Sequence, residues 1–521
     1  MLKKTLLHFF VILFTVCFWV GAMPPYNVSE AAYFLFVPFL IWVLSQPSKK
    51  QLWLTSLFCG FSAWFCILIW LRHVTWIGTT ILSLILGIYF LIWILYVSVV
   101  IRNSINQTFI FRFFGFLGIA GSWVVLEYLR SFLLYGMPMG PLALSQWQRP
   151  AILQLSAWTG AYGVSFFLIF FNCCILKTVL QLKFVGKKRV SFLKFFKLDF
   201  YFVIISIIGL LYLYYNCLPK NVIQKNQGFE FAVMQPNFEP LKSWDVVKNN
   251  QANLSLKRQL EQTALLDYDL LFLPEAVTPN PILGDKDILE LFTSASNRNQ
   301  KPFIIGNLAY DMYNGGWYNG IFLVDPNLGL NSDYYRKRKL VPFGEYTPDL
   351  FFWIEPLAGI QGSFMEGNDA AIIELRIADK KWQVGALVCY EDLFPSLVRE
   401  TVLAGADFLF VATNDSWYGE EGGAYFHAAH SVLRSVENRR ATIRCGNAGW
   451  SGWIDSLGRI RGCLTNQNND IYFKGSGTFS FTTTIDEEQS LSFYTKHGEW
   501  FVFLSVILSI LGYFITKSRI S

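Results

Sequence analysis

Two stretches in the second half of the chain place acidic and basic side chains where chemistry could occur. Glu275 follows the apolar run Leu270–Leu273, and Pro274 between them interrupts regular structure. Lys337 belongs to a basic stretch that leads into an apolar segment ending at Glu345. A lysine beside two carboxylates in a partly buried pocket would keep its charge and act as a fixed cation. Taken alone, each stretch is also typical of a solvated surface loop.

A cysteine and an Asn-Asp turn follow two other apolar runs. Cys389 comes directly after the run 385–388 and precedes two acids, a position where a helix N-terminus could lower the pKa of a thiol. Asn414 opens a polar turn after the run 408–412, and Trp417 lies in the same turn. Taken alone, Cys389 is also compatible with a buried, unreactive cysteine, and the turn with an ordinary Asx turn.

The segments around these residues alternate between predicted strands and predicted helices. Between Phe229 and Arg439, short runs rich in β-branched and aromatic residues are separated by polar, helix-like stretches. This alternation predicts an α/β domain with layered sheets. The segments are Phe229–Met234, Gln251–Leu266, Leu270–Leu273, Ile288–Asn299, Phe303–Ile305, Ile321–Val324, Gln383–Val388, Phe394–Ala404, Phe408–Ala412 and Ala424–Arg439.

The composition indicates that part of the chain lies in a membrane. Hydrophobic residues make up 53% of the chain and charged residues 15%, whereas soluble domains carry about a quarter charged residues. A membrane helix needs roughly 20 mostly apolar residues, and eight segments are predicted to span a bilayer. They are Leu6–Met23, Ala31–Leu44, Leu52–Leu71, Ile77–Ile101, Phe113–Leu134, Tyr162–Leu180, Phe200–Cys217 and Trp500–Thr516. The first also has features of a signal peptide, but the spans that follow favour an uncleaved helix.

Basic residues predict the orientation of these spans through the positive-inside rule. With the N-terminus in the cytoplasm, fifteen lysines and arginines fall in inside segments, whereas only Arg72, Arg130 and Arg149 fall in short outside loops. Both termini are then cytoplasmic. The predicted parts are a seven-helix membrane domain (residues 1–217), a domain on the outer side of the membrane (218–498), and a last membrane helix with a cytoplasmic tail (499–521).

The cysteines and histidines do not indicate a metal site. The chain has nine cysteines, and they show no C-x-x-C spacing. His427 and His430 stand three residues apart, but no third ligand is evident, and helix packing explains them as well. The sequence contains no glycine-rich phosphate loop. We therefore expect neither a metal nor a cofactor.

Taken in chain order, the motifs resemble those of the carbon–nitrogen hydrolase (nitrilase) superfamily, whose members carry a Glu–Lys–Cys triad at strand ends in an α-β-β-α sandwich. The membrane helices make the chain similar to one branch of it, the apolipoprotein N-acyltransferases, which have seven helices before this domain and one after it. The resemblance spans nearly the whole chain. The matching motifs are Pro274-Glu275, Lys337 with Leu340–Glu345, Cys389-Tyr390-Glu391 and Asn414–Gly419.

The resemblance implies a role for each matching residue. Glu275 would be the general base, Lys337 the cationic stabiliser and Cys389 the nucleophile. Physical chemistry agrees, because a thiol at its free pKa is only a few per cent thiolate at neutral pH and benefits from a base within hydrogen-bonding reach. The residues expected to support these three are Glu345, Tyr390 and Glu391. Those expected to contact substrate are Trp244, Asn414, Trp417 and Trp353, the last in a loop (351–357) that is either a lipid-touching lid or packed on the domain.

The implied reaction is the transfer of a fatty acyl group at the bacterial inner membrane, with the catalytic domain on the periplasmic side. Cys389 would take an acyl chain from a membrane phospholipid as a thioester. The thioester would then pass the chain to the N-terminal amine of a lipoprotein whose first cysteine carries a diacylglyceryl group. No nucleic-acid partner is expected.

Two other functions remain open at this point. A membrane-anchored amidase would keep the triad and release its product to water, although the many membrane helices favour acyl transfer. A transporter or receptor would be expected to carry ionisable residues within its spans. The predicted spans hold few such residues, with Glu127 near Arg130 the exception.

Overall fold

The structure is a computed structural model with two compact units. The first consists of residues 1–220, 421–429 and 496–521, and the second of residues 221–420 and 430–495. The residues that the structure describes are 2–133, 136–185, 198–218, 226–239, 246–312, 315–349, 364–377, 380–484 and 490–517. Trp244, Trp353 and the loop 351–357 lie outside the described residues.

Helices make up the first unit and flank the sheets of the second. Within the described residues they are α1 (Leu2–Ala22), α2 (Val37–Leu44), α3 (Lys49–Ile67), α4 (Trp76–Ser104), α5 (Phe109–Leu129), α6 (Pro150–Leu153), α7 (Ser156–Thr159), α8 (Ala161–Val185), α9 (Leu198–Cys217), α10 (Val246–Thr263), α11 (Lys286–Asn299), α12 (Pro395–Leu403), α13 (Gly423–Asn438), α14 (Phe493–His497) and α15 (Trp500–Lys517).

Five helices of the first unit are long and apolar enough to cross a membrane, among the residues that the structure describes. They are α4, α5, the part Ala161–Leu182 of α8, α9 and α15. Two shorter apolar segments, His8–Ala22 and Ser29–Leu44, precede them. The prediction of an N-terminal helical region with several apolar helices is therefore confirmed.

The second predicted span, Ala31–Leu44, is not one continuous helix. A 3₁₀ turn occupies Ser29–Tyr33, and α2 covers only Val37–Leu44, with Pro38 in its first turn. Proline is tolerated there because its missing N–H would have no partner, whereas inside a longer helix it would break the hydrogen-bond ladder. At about 1.5 Å per residue, eight residues are too short to cross a hydrocarbon core about 30 Å thick.

Two β-sheets form the second unit. The strands are β1 (Asn226–Gln235), β2 (Leu270–Leu273), β3 (Phe303–Asp311), β4 (Gly316–Asp325), β5 (Gly329–Leu330), β6 (Tyr335–Arg336), β7 (Ile372–Ile377), β8 (Lys380–Val388), β9 (Phe408–Thr413), β10 (Thr442–Gly446), β11 (Gly452–Ile454), β12 (Ile460–Cys463) and β13 (Gly475–Thr484). The first sheet has the order β13-β1-β2-β3-β4-β5, with β6 also paired to β4. The second has the order β12-β11-β10-β9-β8-β7.

Alternating side chains place the two sheets face to face. Leu270 and Phe272 of β2 belong to the core between the sheets, where the ring centroids of Phe272 and Phe410 lie 4.5 Å apart. Leu271 and Leu273 point the other way and pack with residues of α10 and α11. On the second sheet, the Ser435 hydroxyl of α13 lies 2.7 Å from that of Thr442 in β10. The layers are helix, sheet, sheet and helix, which confirms the predicted fold class.

Parallel pairing at the centre of each sheet determines where the polar strand ends lie. Strands β1, β2 and β3 pair in parallel, and so do β8, β9 and β10. The carboxyl ends of neighbouring parallel strands lie at the same edge of a sheet. Glu275 follows β2, Cys389 follows β8 and Asn414 follows β9, so each stands at such an edge.

Candidate active site

A buried lysine lies between two carboxylates in the second unit. Lys337 Nζ is 2.8 Å from Glu345 Oε1 and 3.3 Å from Glu275 Oε1. The side-chain amide of Asn319 donates to the same two oxygens, at 2.8 Å to Glu275 and 3.1 Å to Glu345. The lysine side chain is only 1% exposed. Hydrogen bonds from one charged donor, Lys337, and one neutral donor, Asn319, therefore hold the two carboxylates in place.

The backbone around Lys337 explains how the residue reaches this cluster. It follows β6, a two-residue strand that pairs with β4, and its own N–H donates to the carbonyl of Asn319. The Glu345 carboxylate accepts from the N–H of Val341 at 2.8 Å, while the N–H of Glu345 donates to the carbonyl of Val341. This pair of bonds closes the segment 341–345 into a turn and brings Glu345 back to the lysine.

The charges around Lys337 hold it as an ammonium group. Burial opposes the charged form, but the negative charges of Glu345 and Glu275, and that of Cys389 when its sulfur is ionised, outweigh burial and raise the pKa of Lys337 above its ordinary value. A permanently charged donor in a buried site stabilises developing negative charge far better than it would in water.

Cys389 starts a short 3₁₀ turn, Cys389–Leu393, directly after β8. Its φ is +50°, a left-handed conformation that is uncommon for residues other than glycine and costs about 1–3 kcal/mol. Such a sharp change of direction lifts a side chain off the end of a strand. The thiol is buried, and it interacts electrostatically with both Glu275 and Lys337. The structure thus brings together the three residues that the sequence singled out.

Burial and charge together keep the Cys389 thiol protonated at rest. Burial is the largest contribution and Glu275 the next, and both raise the pKa of the thiol well above its ordinary value. Lys337 and a hydrogen bond with the Thr413 side chain act in the opposite direction. The pKa of the thiol is thus raised and not lowered, because burial, and after it the carboxylate of Glu275, disfavours the thiolate. A nearby base must therefore remove the proton as the sulfur attacks.

Glu391 supports the turn Cys389–Leu393, to which it belongs, with hydrogen bonds from its buried carboxylate. Its carboxylate accepts hydrogen bonds from the N–H of Val388 at 2.7 Å, the N–H of Arg338 at 2.6 Å and the N–H of Lys339 at 3.1 Å. The hydroxyl of Tyr335 donates to it at 2.8 Å. These bonds tie the strand end before Cys389 to the backbone after Lys337, so Glu391 holds the two segments in register. Burial raises the pKa of Glu391.

Tyr390 is buried beside the nucleophile. Its ring contacts Phe394 edge-on, with the ring centroids 5.0 Å apart, and burial is the main cause that raises the pKa of its phenol. The aromatic contact fixes the direction of the chain immediately after Cys389. The N–H of Tyr390 is the backbone donor that follows the nucleophile in the chain.

The turn after β9 carries the other two described candidates. Asn414 Oδ1 accepts hydrogen bonds from Ser416 and from the side chain of Asn447, which gives Asn414 a part in shaping the turn. Trp417 is 43% exposed. An indole that stays half-exposed at the edge of a sheet is available for contact with a hydrophobic ligand.

Sequence reasoning missed two residues of the site, Asn319 and Thr413. Asn319 bridges the two carboxylates, and Thr413 makes a hydrogen bond with the cysteine sulfur. Each is a polar residue within or at the end of an apolar run, at Tyr318-Asn319-Gly320 and Val411-Ala412-Thr413. A polar residue that interrupts or ends an apolar run is a feature from which the sequence could have indicated these residues. Only the pairing of strands, however, shows which way each side chain points.

Models of two protein families match this chain. Residues 14–174 match the apolipoprotein N-acyltransferase N-terminal domain, and residues 231–482 match the carbon–nitrogen hydrolase family. The first match begins within α1, covers α2 to α7 and ends within α8. The second covers nearly all of both sheets and includes the described residues of the site.

Curated relatives extend the similarity over most of the chain. A protein of Geobacter metallireducens named apolipoprotein N-acyltransferase is 28% identical over 74% of this chain and 71% of its own length. A protein of Treponema denticola named apolipoprotein N-acyltransferase 1 is 25% identical over 92% of this chain and 90% of its own length. Among solved structures, Saccharomyces cerevisiae Nit3, a member of branch 10 of the nitrilase superfamily, is 17% identical with a TM-score of 0.36, covering 54% of this chain and 97% of its own. Through its two matched domains and the two curated relatives, the chain belongs to the apolipoprotein N-acyltransferase family of the carbon–nitrogen hydrolase superfamily.

Proposed function

We propose that this enzyme transfers a fatty acyl chain from a membrane phospholipid to the N-terminal amine of a lipoprotein whose first cysteine carries a diacylglyceryl group. The chain would travel as a thioester on Cys389. The names of the curated relatives support N-acylation of lipoproteins. Neither an amidase that releases its product to water nor a non-catalytic transporter or receptor is favoured by the same relatives.

One observation carries the proposed mechanism. Lys337 is bonded to both Glu275 and Glu345 and interacts with the sulfur of Cys389 in a buried site. A protonated thiol with a carboxylate and an ammonium group beside it has a base for its proton and a cation for the oxyanion. Those are the two requirements for a sulfur nucleophile that attacks an ester.

In the proposed first step, Cys389 attacks the carbonyl carbon of a phospholipid ester. Glu275 takes the proton from the thiol as the carbon–sulfur bond forms. Lys337 and the backbone N–H of Tyr390 stabilise the negative charge on the carbonyl oxygen. The tetrahedral intermediate then expels the alkoxide of the lysophospholipid, which takes the proton back from Glu275. The products of this step are a lysophospholipid and an acyl thioester on Cys389.

In the proposed second step, the α-amine of the lipoprotein attacks the thioester. Glu275 now accepts a proton from the amine, the carbon–nitrogen bond forms, and the thiolate of Cys389 leaves and recovers its proton from Glu275. The product is an amide, and the enzyme returns to its starting state. Each half-reaction uses the same base and the same cation, which is the logic of a ping-pong scheme.

The proposed setting is the outer surface of the bacterial inner membrane, with the catalytic domain in the periplasm. Phospholipid and lipoprotein both present acyl chains there, so the site must admit hydrophobic tails. We assign contacts with these substrates to Trp417, Asn414, Trp244 and Trp353. The exposure of the Trp417 indole supports its part in this assignment.

The test uses the full-length protein in detergent micelles with a phospholipid that carries an isotopically labelled acyl chain. Mass spectrometry of the Cys389 peptide should show the mass of the acyl group, and hydroxylamine should remove it. Cys389→Ala should abolish the label. Cys463→Ala serves as the matched control, because Cys463 is a free cysteine of the same unit outside the cluster.

Two results would contradict the proposal. Full labelling of the Cys389→Ala protein would remove Cys389 from the mechanism. Release of labelled fatty acid to water, with none transferred to a diacylated lipopeptide, would favour the amidase reaction instead. Conversion of the lipopeptide to a triacylated product would support N-acyl transfer.

A further inference from the structure

Thr413 lies beside the nucleophile because two neighbouring strands end together. Strands β8 and β9 pair in parallel with Val388 opposite Ala412, so the residues that follow, Cys389 and Thr413, are neighbours at the sheet edge. The Thr413 side chain makes a hydrogen bond with the cysteine sulfur. The same hydroxyl donates to Asp415 Oδ1 at 3.0 Å, and Thr413 is fully buried. A single hydroxyl therefore has two partners.

Asp415 is itself held by a buried arginine. Arg444 lies on β10, the next parallel strand, and its Nη2 is 3.6 Å from Asp415 Oδ2. Its Nη1 is 2.6 Å from Asp392 Oδ2 and donates to Ser431 Oγ at 2.8 Å. All of these side chains are buried. The positive charge of one guanidinium thus lies beside the negative charges of two aspartates, Asp392 in the turn Cys389–Leu393 and Asp415 in the turn after β9.

The position of the hydroxyl proton depends on the state of the sulfur. A threonine hydroxyl has one proton and can also accept. While Cys389 is a thiol, its S–H can donate to Thr413 Oγ1, and Thr413 donates to Asp415. When the sulfur becomes a thiolate, the hydroxyl can rotate and donate to it. The rotation transfers no proton between residues, and Asp415 remains charge-balanced by Arg444.

We propose that the hydroxyl of Thr413 is a catalytic group that stabilises the sulfur of Cys389 whenever it carries negative charge, and that Asp415 and Arg444 position it. This inference rests on the proposed function, in which sulfur gains charge twice. It does so during attack on the phospholipid ester and again when the thiolate leaves the tetrahedral intermediate. A hydrogen bond to a charged partner is stronger than one to a neutral partner, so the bond favours both events.

Other charged and titratable groups also interact with the sulfur, and some raise the pKa of the thiol while others lower it. Glu275 and Asp415 disfavour the thiolate, whereas Lys337 favours it. Tyr418 also interacts with Cys389 electrostatically. Thr413 is the neutral donor in this set. Replacing it changes the hydrogen bond to sulfur while leaving every formal charge in place.

The experiment measures alkylation of Cys389 by iodoacetamide across a range of pH, in the full-length protein in detergent, by mass spectrometry of the Cys389 peptide. Thr413→Val removes the hydroxyl and keeps the shape. We expect the midpoint of the profile to rise by about one pH unit and the rate at pH 7 to fall about tenfold. Thr413→Ser keeps the hydroxyl and should follow the unsubstituted protein. Thermal unfolding of each variant verifies that it is folded.

A second variant moves the same profile in the other direction. Asp415→Asn removes a negative charge near the sulfur but keeps an oxygen that can accept from the Thr413 hydroxyl, so the midpoint should fall. A structural disturbance alone would not give opposite shifts for two adjoining residues. A Thr413→Val profile that overlays that of the unsubstituted protein would overturn the inference, and so would a Thr413→Ser profile that matches that of Thr413→Val.

Failure of the proposed function gives a different result. If the unsubstituted protein acquires no acyl label on Cys389, the thioester mechanism itself is wrong, whatever the alkylation profiles are. If the label forms normally and Thr413→Val leaves both the labelling rate and the alkylation profile unchanged, the mechanism stands and only the role of Thr413 is lost.

Discussion

At the scale of single residues, the site depends on one ammonium group that forms ion pairs with two carboxylates. Lys337 is within hydrogen-bonding distance of Glu275 and Glu345, and Asn319 bridges the same two oxygens. Without the ammonium group, the buried carboxylate of Glu275 and the partly buried carboxylate of Glu345 would face each other with a single amide between them. Such an arrangement costs several kcal/mol, because a buried charge without a partner is poorly solvated.

Replacement of the lysine by an uncharged residue should therefore affect rate and stability together. For Lys337→Met we expect acyl-enzyme formation to slow by about 100- to 1,000-fold, as for loss of an oxyanion donor, and the melting temperature to fall. A labelled phospholipid and a thermal melt measure the two effects. Lys339→Met is the control, because that ammonium group lies over the ring of Phe394 and outside the cluster. Equal losses in both variants would contradict the assigned role.

Glu275 should have opposite effects on two reactions of the same sulfur. Its negative charge raises the pKa of the Cys389 thiol, so Glu275→Gln should lower that pKa. The midpoint of iodoacetamide alkylation then moves to lower pH. Acyl transfer should slow by about 100- to 10,000-fold, because the general base is gone. An unchanged rate of acyl transfer, measured with labelled phospholipid, would show that Glu275 is not the base.

At the scale of elements, the sequence pattern predicted the strands that precede Glu275, Cys389 and Asn414, but neither β6 before Lys337 nor all of the strands that complete the sheets. The predicted strand Leu270–Leu273 has the same bounds as β2, because its continuous apolar run is buried on both faces. Strands β7 and β13 were not predicted. The burial of β7 alternates along its length, and β13 contains small and polar residues such as Gly475–Gly477, which lowers the apolar signal. Antiparallel edge strands of this kind are specified by their partners more than by their own composition.

The side chain of Glu275 depends on a glycine of the adjacent strand. A Cβ atom at Gly306 of β3 would lie 2.6 Å from the carbonyl oxygen of Pro274 and 2.9 Å from Glu275 Cα. Gly306→Ala should therefore push the loop that carries Glu275 out of place, slow acyl-enzyme formation and destabilise the protein by about 1–3 kcal/mol.

The control for this prediction is Gly446→Ala in β10. A Cβ atom there meets its nearest neighbour, the carbonyl oxygen of Ala448, at 3.5 Å, an ordinary van der Waals distance. Thermal unfolding and the rate of acyl labelling measure both variants. If Gly306→Ala is as active and as stable as Gly446→Ala, close approach at Gly306 does not determine the position of Glu275.

At the scale of the whole molecule, the distribution of basic residues predicts the topology, and contacts within the first unit are consistent with it. Arg112 of α5 makes a paired contact with Asp199 of α9, at 2.9 and 2.6 Å. Lys177 of α8 donates to the carbonyl of Ile105 at 2.7 Å. All three helix ends belong to segments predicted to be cytoplasmic. Arginine and lysine side chains near helix ends anchor a span by reaching the interface.

The orientation can be measured with single cysteines placed on the two sides. In spheroplasts, a membrane-impermeant maleimide should label Asn468→Cys, in an exposed loop of the second unit, without lysis. Ser521→Cys should be labelled only after lysis, because the positive-inside rule places the C-terminus in the cytoplasm. The unsubstituted protein gives the background from its native cysteines. The reverse pattern would contradict the proposed periplasmic position of the catalytic domain.

The proposed mechanism depends on the transfer of an acyl chain from a thioester on Cys389 to an amine. The most direct measurement is a single-turnover chase, in which protein labelled on Cys389 is freed of phospholipid and mixed with a diacylated lipopeptide. We expect the label to leave Cys389 at the same rate as triacylated lipopeptide appears, and water alone to remove the label much more slowly. Triacylated product that forms without loss of label from Cys389 would contradict the proposed mechanism.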